Sequence, residues 1–383
     1  MLLPVSEDRL APLCEEIESW RMRLDAKGPL PRLWGGRLRR DLENESVAAS
    51  TIMEGVPVTL DEVRRILAGE HPPEVAAENR SLVEGYRDAM GFVLRRADDP
   101  AFRWERELLS HLHDRVLAGD FAARAGRLRE AQRYLVHSGS GEQVFLPPPA
   151  QQVPALVDDA CDRMQRGSWH PAVAAAWIHV ALAAIHPFSD GNGRVARICA
   201  SLAMYRGDFK RPQFASLEEW WGNHLDDYYA AFACLGDAFD PHADVTRFCL
   251  AHASAQLSQI RALDLRERVE RQIWTALENL LLDAGLPARV ANALWDAFFQ
   301  RDVTAGCYRS IADVSAATAT HDLAAATAAR LLRAEGRRRA RRYRAGARLY
   351  DTVAHALAVP VPDAPDRARV AIVAALTQRI AAT

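Results

Sequence analysis

Residues 186–197 read HPFSDGNGRVAR, and they follow the apolar run PAVAAAWIHVALAAI at 171–185. Pro187 pushes the residue before it out of the α region, so a helix predicted over 171–186 ends at His186 and pins its imidazole to a rigid element. Gly191-Asn192-Gly193 supplies backbone able to take positive φ and expose successive N–H groups, and a new helix is predicted over 194–206. A glycine-rich loop at a helix N-terminus is an anion cradle. Asp190 beside such a cradle would repel phosphate unless it holds a divalent metal bridging phosphate oxygens. Arg194 and Arg197, three residues apart, share a helix face and can reach one anion together. A base, a metal ligand, an amide cradle and two cationic clamps are the parts of a phosphoryl or nucleotidyl transfer site.

The rest of the chain bounds this reading. Its 383 residues exceed what one core usually supports, and a hydrophobic share of 49% with 26% charged residues is ordinary for a globular protein. A net charge of −2 gives no general attraction to nucleic acid or membrane, so any basic patch is local. The apolar run through Phe188 is shorter than the ~20 residues of a membrane span and holds His179, which makes it a buried core helix. Lys27 and Lys210 are the only lysines; neither stands in a P-loop, and arginines and backbone amides are left to hold phosphate. Six scattered cysteines without a C-x-x-C pair argue against a zinc site or a disulfide framework. With an N-terminus unlike a secretory signal, they point to a cytoplasmic protein.

Helical periodicity dominates. Helices are expected at 6–27, opened by Ser6 as N-cap, at about 33–54 with Gly55 as the stop, and from the capping box Thr59 to Glu62. Further helices are expected near 74–97, 101–118, 151–166 and 217–235, and two within 265–300. The stretch RYLVHSGSGEQVFL, 133–146, ends at Pro147-Pro148-Pro149 and reads as a β-hairpin.

The stretch 186–197 resembles the Fic family signature, H-P-F-x-[DE]-G-N-G-R-x-x-R, at every specified position. AGRLRE at 125–130, FLPPPA at 145–150 and NHLDDYYAAF at 223–232 extend the resemblance in the order that the family uses. It implies AMP transfer from ATP to a Ser, Thr or Tyr hydroxyl of a protein. In that reading His186 takes the hydroxyl proton, Asp190 coordinates Mg²⁺, and Gly191, Asn192 and Gly193 cradle phosphate oxygens. Arg194 and Arg197 would bind the β- and γ-phosphates. Gly193 separates the chain from Doc-type kinases of the family, which carry a lysine there. Asn223, Tyr228 and Tyr229 fall in a segment near the nucleoside, with a core role open for the tyrosines. The hairpin, with Val144 and Phe145, resembles a flap that docks the target by strand addition, or is a structural hairpin. Phosphocholine and UMP are minor alternatives as the transferred group.

Ser50-Thr51-Ile52-Met53-Glu54-Gly55 resembles the inhibitory motif of autoinhibited Fic proteins. It implies a bidentate pairing of Glu54 with Arg197 in the space that the γ-phosphate needs. In some relatives the same glutamate positions a water that removes AMP, which leaves a de-AMPylating hydrolase as an alternative.

From Tyr308, a short helix, a turn at Val314-Ser315, a second helix and a basic loop suggest a winged helix-turn-helix. Arg337, Arg338, Arg339, Arg341, Arg342 and Arg344 would line its wing and contact DNA, or the domain would bind a protein or form a homodimer. A DNA-binding regulator with a nucleotide-sensing core is the rival function. The fold class expected is mainly α: a Fic-type helical core with a β-hairpin flap and a C-terminal winged helix domain. Its expected segments are an N-terminal region with the inhibitory helix at 1–98, the core at 99–240, a helical linker at 241–300, the winged helix at 301–360 and a tail at 361–383.

Overall fold

The computed structural model describes residues 2–117, 124–136, 143–214, 217–336, 341–360 and 365–382. Its helices in chain order are α1 (Glu7–Ala26), α2 (Arg32–Met53), α3 (Leu60–Leu67), α4 (Ala77–Ala97), α5 (Arg106–Val116), α6 (Val153–Arg166), α7 (Pro171–Ile185) and α8 (Asn192–Arg206). They continue with α9 (Leu217–Asn223), α10 (Leu225–Ala231), α11 (Thr246–Asp283), α12 (Ala291–Phe298), α13 (Ala305–Ala312), α14 (Ala316–Ala328), α15 (Leu349–Ala356) and α16 (Pro365–Ala381). Two antiparallel pairs accompany them, β1 (Leu135–Val136) with β2 (Gln143–Phe145) and β3 (Leu332–Glu335) with β4 (Arg342–Ala345).

The chain forms two compact units that interleave along the sequence instead of following the consecutive segments expected. The first holds residues 1–29, 42–60 and 73–260, and the second 30–41, 61–72 and 261–383. The first unit is built on α7 and α8. Nearly every α7 side chain is buried, as its unbroken apolar sequence requires, and its alanines let α8 approach closely. Helices α4 and α5 pack on α8, and α1 and α6 on α7. The strands β1 and β2 stand at 135–136 and 143–145, within the hairpin expected at 133–146, whose turn lies outside the described residues. Ser6 is the N-cap of α1 as expected, but its side chain makes no capping bond; its amide donates to Thr246 Oγ1 at 2.8 Å.

In the second unit, α13 ends with Asp313 at φ 51°, and Ser315 caps α14 by accepting the Thr318 amide at 3.1 Å. Strands β3 and β4 follow as a two-stranded ribbon, and an isolated antiparallel bridge joins Val303 to Tyr343. Three elements depart from expectation, the first being the helix expected at 217–235, which is divided into α9 and α10 at His224, whose φ of −134° and ψ of 50° leave the helical region. Helix α11 runs unbroken over 38 residues, because Leu263, Val269, Ile273 and Leu277 keep an apolar stripe through its charged middle. The expected tail contains α16, with Ala368, Ile372, Leu376 and Ile380 buried at four-residue spacing. Among the described residues no helix is long and apolar enough to cross a membrane.

Candidate active site

Helix α7 stops where Pro187 demands it. His186 takes a left-handed conformation, φ 51°, as its C-cap, with its amide still donating to Leu182 O at 3.0 Å. The loop beyond is closed by Asn192, whose Oδ1 accepts the Phe188 amide at 2.8 Å and whose Nδ2 donates to Phe188 O at 2.9 Å. The Asn192 side chain is therefore spent on shaping the loop, and only its amide is left for an anion. Gly191, at φ 72°, makes the turn into α8 that an L side chain would strain. The first amides of α8 have no partner within the helix, which makes its N-terminus an anion site by construction.

The charged side chains around that N-terminus are unequal. Arg194 and Arg197 are both 3% exposed. Arg194 donates through Nη1 to Val116 O at 3.2 Å, while its buried Nε has no hydrogen-bond partner among the described residues. Asp190 is open to solvent; its Oδ1 accepts the Gly191 amide at 2.7 Å and its Oδ2 lies 3.6 Å from Arg194 Nη2. Burial pulls the His186 pKa down to about 4, a tendency that nearby Arg129 reinforces and the Ala183 backbone opposes. The imidazole is thus neutral at pH 7 and able to accept a proton.

Helix α2 delivers Ser50 and Glu54 to this site. Gly55, at φ 79°, ends the helix in a turn closed by Val56 N to Thr51 O at 3.3 Å, and that turn aims the Glu54 side chain. Glu54 Oε1 accepts from Arg197 Nη2 at 2.7 Å, and Oε2 lies 3.8 Å from Arg194 Nε. The expected bidentate pairing with Arg197 alone is corrected: standing between two guanidinium groups, the carboxylate gives one oxygen to each. Ser50 also holds Arg197, its Oγ accepting from Nε at 2.9 Å and its carbonyl from Nη2 at 3.2 Å. A Cβ on Gly193 would lie 2.5 Å from Glu54 Oε1, so only glycine leaves room for this carboxylate. Burial works against the Arg197 charge, and Glu54 with Tyr228 and Tyr86 together outweigh it, keeping its pKa raised.

The remaining expected residues divide. Tyr228 is buried beneath Arg197, its OH 3.4 Å from Nη1 and 3.1 Å from His179 Nε2. Tyr229 is 60% exposed, and Asn223 is exposed with its amide on Glu219 O at 2.9 Å. On the hairpin, Val144 is 49% exposed, whereas Phe145 is 6% exposed. The Phe145 side chain therefore belongs to the core and cannot meet a target.

Three side chains were not foreseen. His113 lies flat on Phe188, ring centroids 3.8 Å apart; its Nδ1 accepts the Gly126 amide at 2.9 Å and its Nε2 lies 3.0 Å from Asp190 O. Arg129 reaches the His186 carbonyl, Nε to O 2.7 Å. Glu218, buried below α2, accepts from Ser46 Oγ at 2.9 Å and Tyr86 OH at 3.1 Å. His113 and Glu218 meet distant partners and stand in no local motif, whereas Arg129 stands in AGRLRE, a stretch that carries the resemblance without assigning it a role.

Residues 103–204 match the sequence model of the Fic/DOC family. The chain is 28% identical to the protein adenylyltransferase fic-1 of Caenorhabditis elegans over 234 residues, 58% of this chain and 42% of that protein. It is 27% identical to the protein adenylyltransferase Fic of Nematostella vectensis over 175 residues, 42% of this chain and 37% of that protein. The chain thus spans less than half the length of these curated relatives. In three dimensions it is similar to a Fic family protein from Desulfovibrio desulfuricans, TM-score 0.59 at 22% identity, covering 91% of this chain and 98% of that one. It is also similar to Fic-1 from C. elegans, TM-score 0.54 at 23% identity, covering 67% and 71% of the two chains. At these identities the structural likeness is one of fold.

Proposed function

From the match of residues 103–204 to the Fic/DOC family, we propose that this chain is a protein AMP transferase that uses ATP and is restrained by Glu54. The observation that carries the reading is the set around the start of α8: a neutral His186 beside two buried guanidinium groups, one with a buried Nε that faces Glu54 at 3.8 Å but makes no hydrogen bond among the described residues. A buried donor without an acceptor is costly, and a phosphate oxygen is the acceptor that this cradle suits.

The chemistry follows from the positions. The nucleotide phosphates lie on the α8 amides and on Arg194 and Arg197. Asp190 would hold Mg²⁺, and its lone open carboxylate fits an ion that keeps several waters and arrives with substrate phosphates. Such an ion would supply charge neutralisation at the phosphates. His186 accepts the proton of a target Ser, Thr or Tyr hydroxyl, whose oxygen bonds to the α-phosphorus as the bond to the β-phosphate oxygen breaks and pyrophosphate leaves. General-base help of this kind is worth about 10²–10⁴ in rate. The target lies along the hairpin, where Tyr134, Val136 and Val144 present apolar side chains to solvent.

Glu54 restrains this by lying on Arg197 and above Gly193, where the terminal phosphate of ATP belongs. A nucleotide entering against it is held with its α-phosphate out of line for attack.

The second unit's order of helix, turn, helix and two-stranded ribbon supports a winged helix-turn-helix module. Arg337, Arg338 and Arg339 lie outside the described residues, and Arg342 and Arg344 pair with Asp302 at 3.6 and 2.7 Å. The exposed face of α14, Ala316, Ala317, Thr320, His321 and Ala324, carries no arginine or lysine. That composition favours a protein partner over DNA phosphates.

The test is intact-protein mass spectrometry after incubation with ATP and Mg²⁺, on wild type, Glu54→Gly, and Glu54→Gly with His186→Ala. An AMP-sized gain that is strong in the single variant, weak in wild type and absent from the double variant is expected. A gain that survives His186→Ala would overturn the assignment of the base.

A further inference from the structure

Arg129 is 2% exposed, and every acceptor its guanidinium meets is a backbone carbonyl. Nε donates to His186 O at 2.7 Å, Nη1 to Ala131 O at 3.1 Å, and Nη2 to Pro148 O at 2.5 Å and Ile185 O at 3.4 Å. Its own amide donates to Pro187 O at 2.9 Å. These carbonyls belong to three places: the end of α7, the segment entering β1 and the segment leaving β2.

Two of the acceptors, Ile185 and His186, are last-turn carbonyls that α7 leaves without intrahelical partners, and a cation there also meets the negative end of the helix dipole. A cap for α7 would need only those. The other two, Ala131 and Pro148, flank the hairpin on both sides, and Gln132 adds a parallel tie through Nε2 to Pro147 O at 3.0 Å. One rigid, planar group therefore fixes the helix end that bears the imidazole and both roots of the hairpin. A lysine, with a single nitrogen, cannot span all three.

We propose that Arg129 is a positioning residue of the transfer step, setting the distance between the His186 imidazole and the hairpin along which the target lies. This rests on reading His186 as the base and the hairpin as the docking strand. Arg129 makes none of the phosphate contacts assigned to residues 190–197, so its loss acts on chemistry and not on nucleotide capture. A misplacement of about 1 Å in a reacting pair costs on the order of 10²-fold.

The test places Arg129→Gln and Arg129→Lys in the Glu54→Gly chain, with self-transfer of AMP followed by mass and deuterium exchange followed at residues 143–146 and 185–188. Expected are a fall in kcat of about 10²-fold with the KM for ATP unchanged, and faster exchange in both segments together while the rest of the first unit is unaltered. Unchanged kcat, or a KM for ATP that rises as far as kcat falls, would overturn the proposal. If the Glu54→Gly parent transfers no AMP, the functional reading has failed. Exchange then decides: joint acceleration of the two segments upholds the tie, and no change or a general acceleration refutes it. If the Gln variant does not fold, the Lys variant is read by the same rules.

Discussion

Helix α2 meets two buried arginines, and they are satisfied in opposite ways. Near its start, in the second unit, Arg37 lies between Asp41 and Asp296, with Nη2 at 3.0 Å from Asp41 Oδ1 and Nη1 at 3.1 Å from Asp296 Oδ2. Arg301 completes a balanced quartet, Nη1 to Asp41 Oδ2 2.9 Å, and Trp295 Nε1 donates to the same oxygen at 3.1 Å. At its other end, in the first unit, Arg197 has a single carboxylate, Glu54, on a side chain that is 18% exposed, and neutral Ser50 and Tyr228 for the rest. Two guanidinium groups that each touch the same two buried carboxylates leave nothing for a ligand to replace. One carboxylate at a helix end, reachable from solvent, is a partner that a phosphate can displace. The same kind of residue is structural in one place and, under the proposed function, regulatory in the other, because of how many anions it touches and how freely they leave.

The contrast is broken most strongly by Asp296→Ala. Removing one member of a buried ionic group leaves charge uncompensated and costs about 3–5 kcal/mol; urea denaturation should show that loss, and a change within error would reclassify the quartet as incidental. Acid gives a second probe. Burial raises the Asp41 pKa, but Arg37 and Arg301 outweigh burial and hold it well below the ordinary aspartate range. The sign is that of a depressed carboxylate: its stabilisation is complete above a pH of ~4 and disappears as pH falls further. Thermal melts of wild type between pH 7 and pH 3 should be flat and then drop, and the Asp296→Ala chain should show a smaller drop.

At the exchangeable end the effects are smaller and appear as activity. Glu54→Gly removes a charge-assisted bond worth about 1.5–3 kcal/mol, which corresponds to a rise in ATP affinity of roughly ten- to a hundred-fold if phosphate takes its place. Ser46→Ala removes a neutral donor to buried Glu218 without touching the site. It should loosen the seat of α2 by about 0.5–1.5 kcal/mol and raise AMP transfer a few-fold, below the level of Glu54→Gly. Transfer equal to wild type would confine the restraint to Ser50 and Glu54.

What the sequence could reveal followed the same division between local and distant. The end of α7, the loop and the start of α8 are written in consecutive residues, because proline, glycine and the i, i+3 arginine spacing act over a few positions. Glu54 was readable for a related reason: its motif includes Gly55, the residue that ends the helix and aims the carboxylate. His113 and Glu218 are silent in sequence, since distant groups meet them, and AGRLRE marks the stretch around Arg129 without revealing that backbone carbonyls receive its guanidinium. The split of the Glu54 oxygens between Arg194 and Arg197 depended on where α2 sits over α8, which no spacing encodes. Helix α11 was missed as one element because its charged middle, LDLRERVERQ, hides an apolar stripe among outward-facing residues. The quartet of α2 escaped notice altogether, as Arg37 and Asp41 alone look like an ordinary exposed i, i+4 pair.

Calorimetric titration of ATP and of AMP, each with Mg²⁺, into wild type and the Glu54→Gly chain tests most directly whether Glu54 holds the place of the terminal phosphate. The account predicts that ATP binds at least about ten-fold more tightly to the variant while AMP, which lacks the β- and γ-phosphates, binds both chains alike. Equal tightening of the two nucleotides, or none for either, would contradict it.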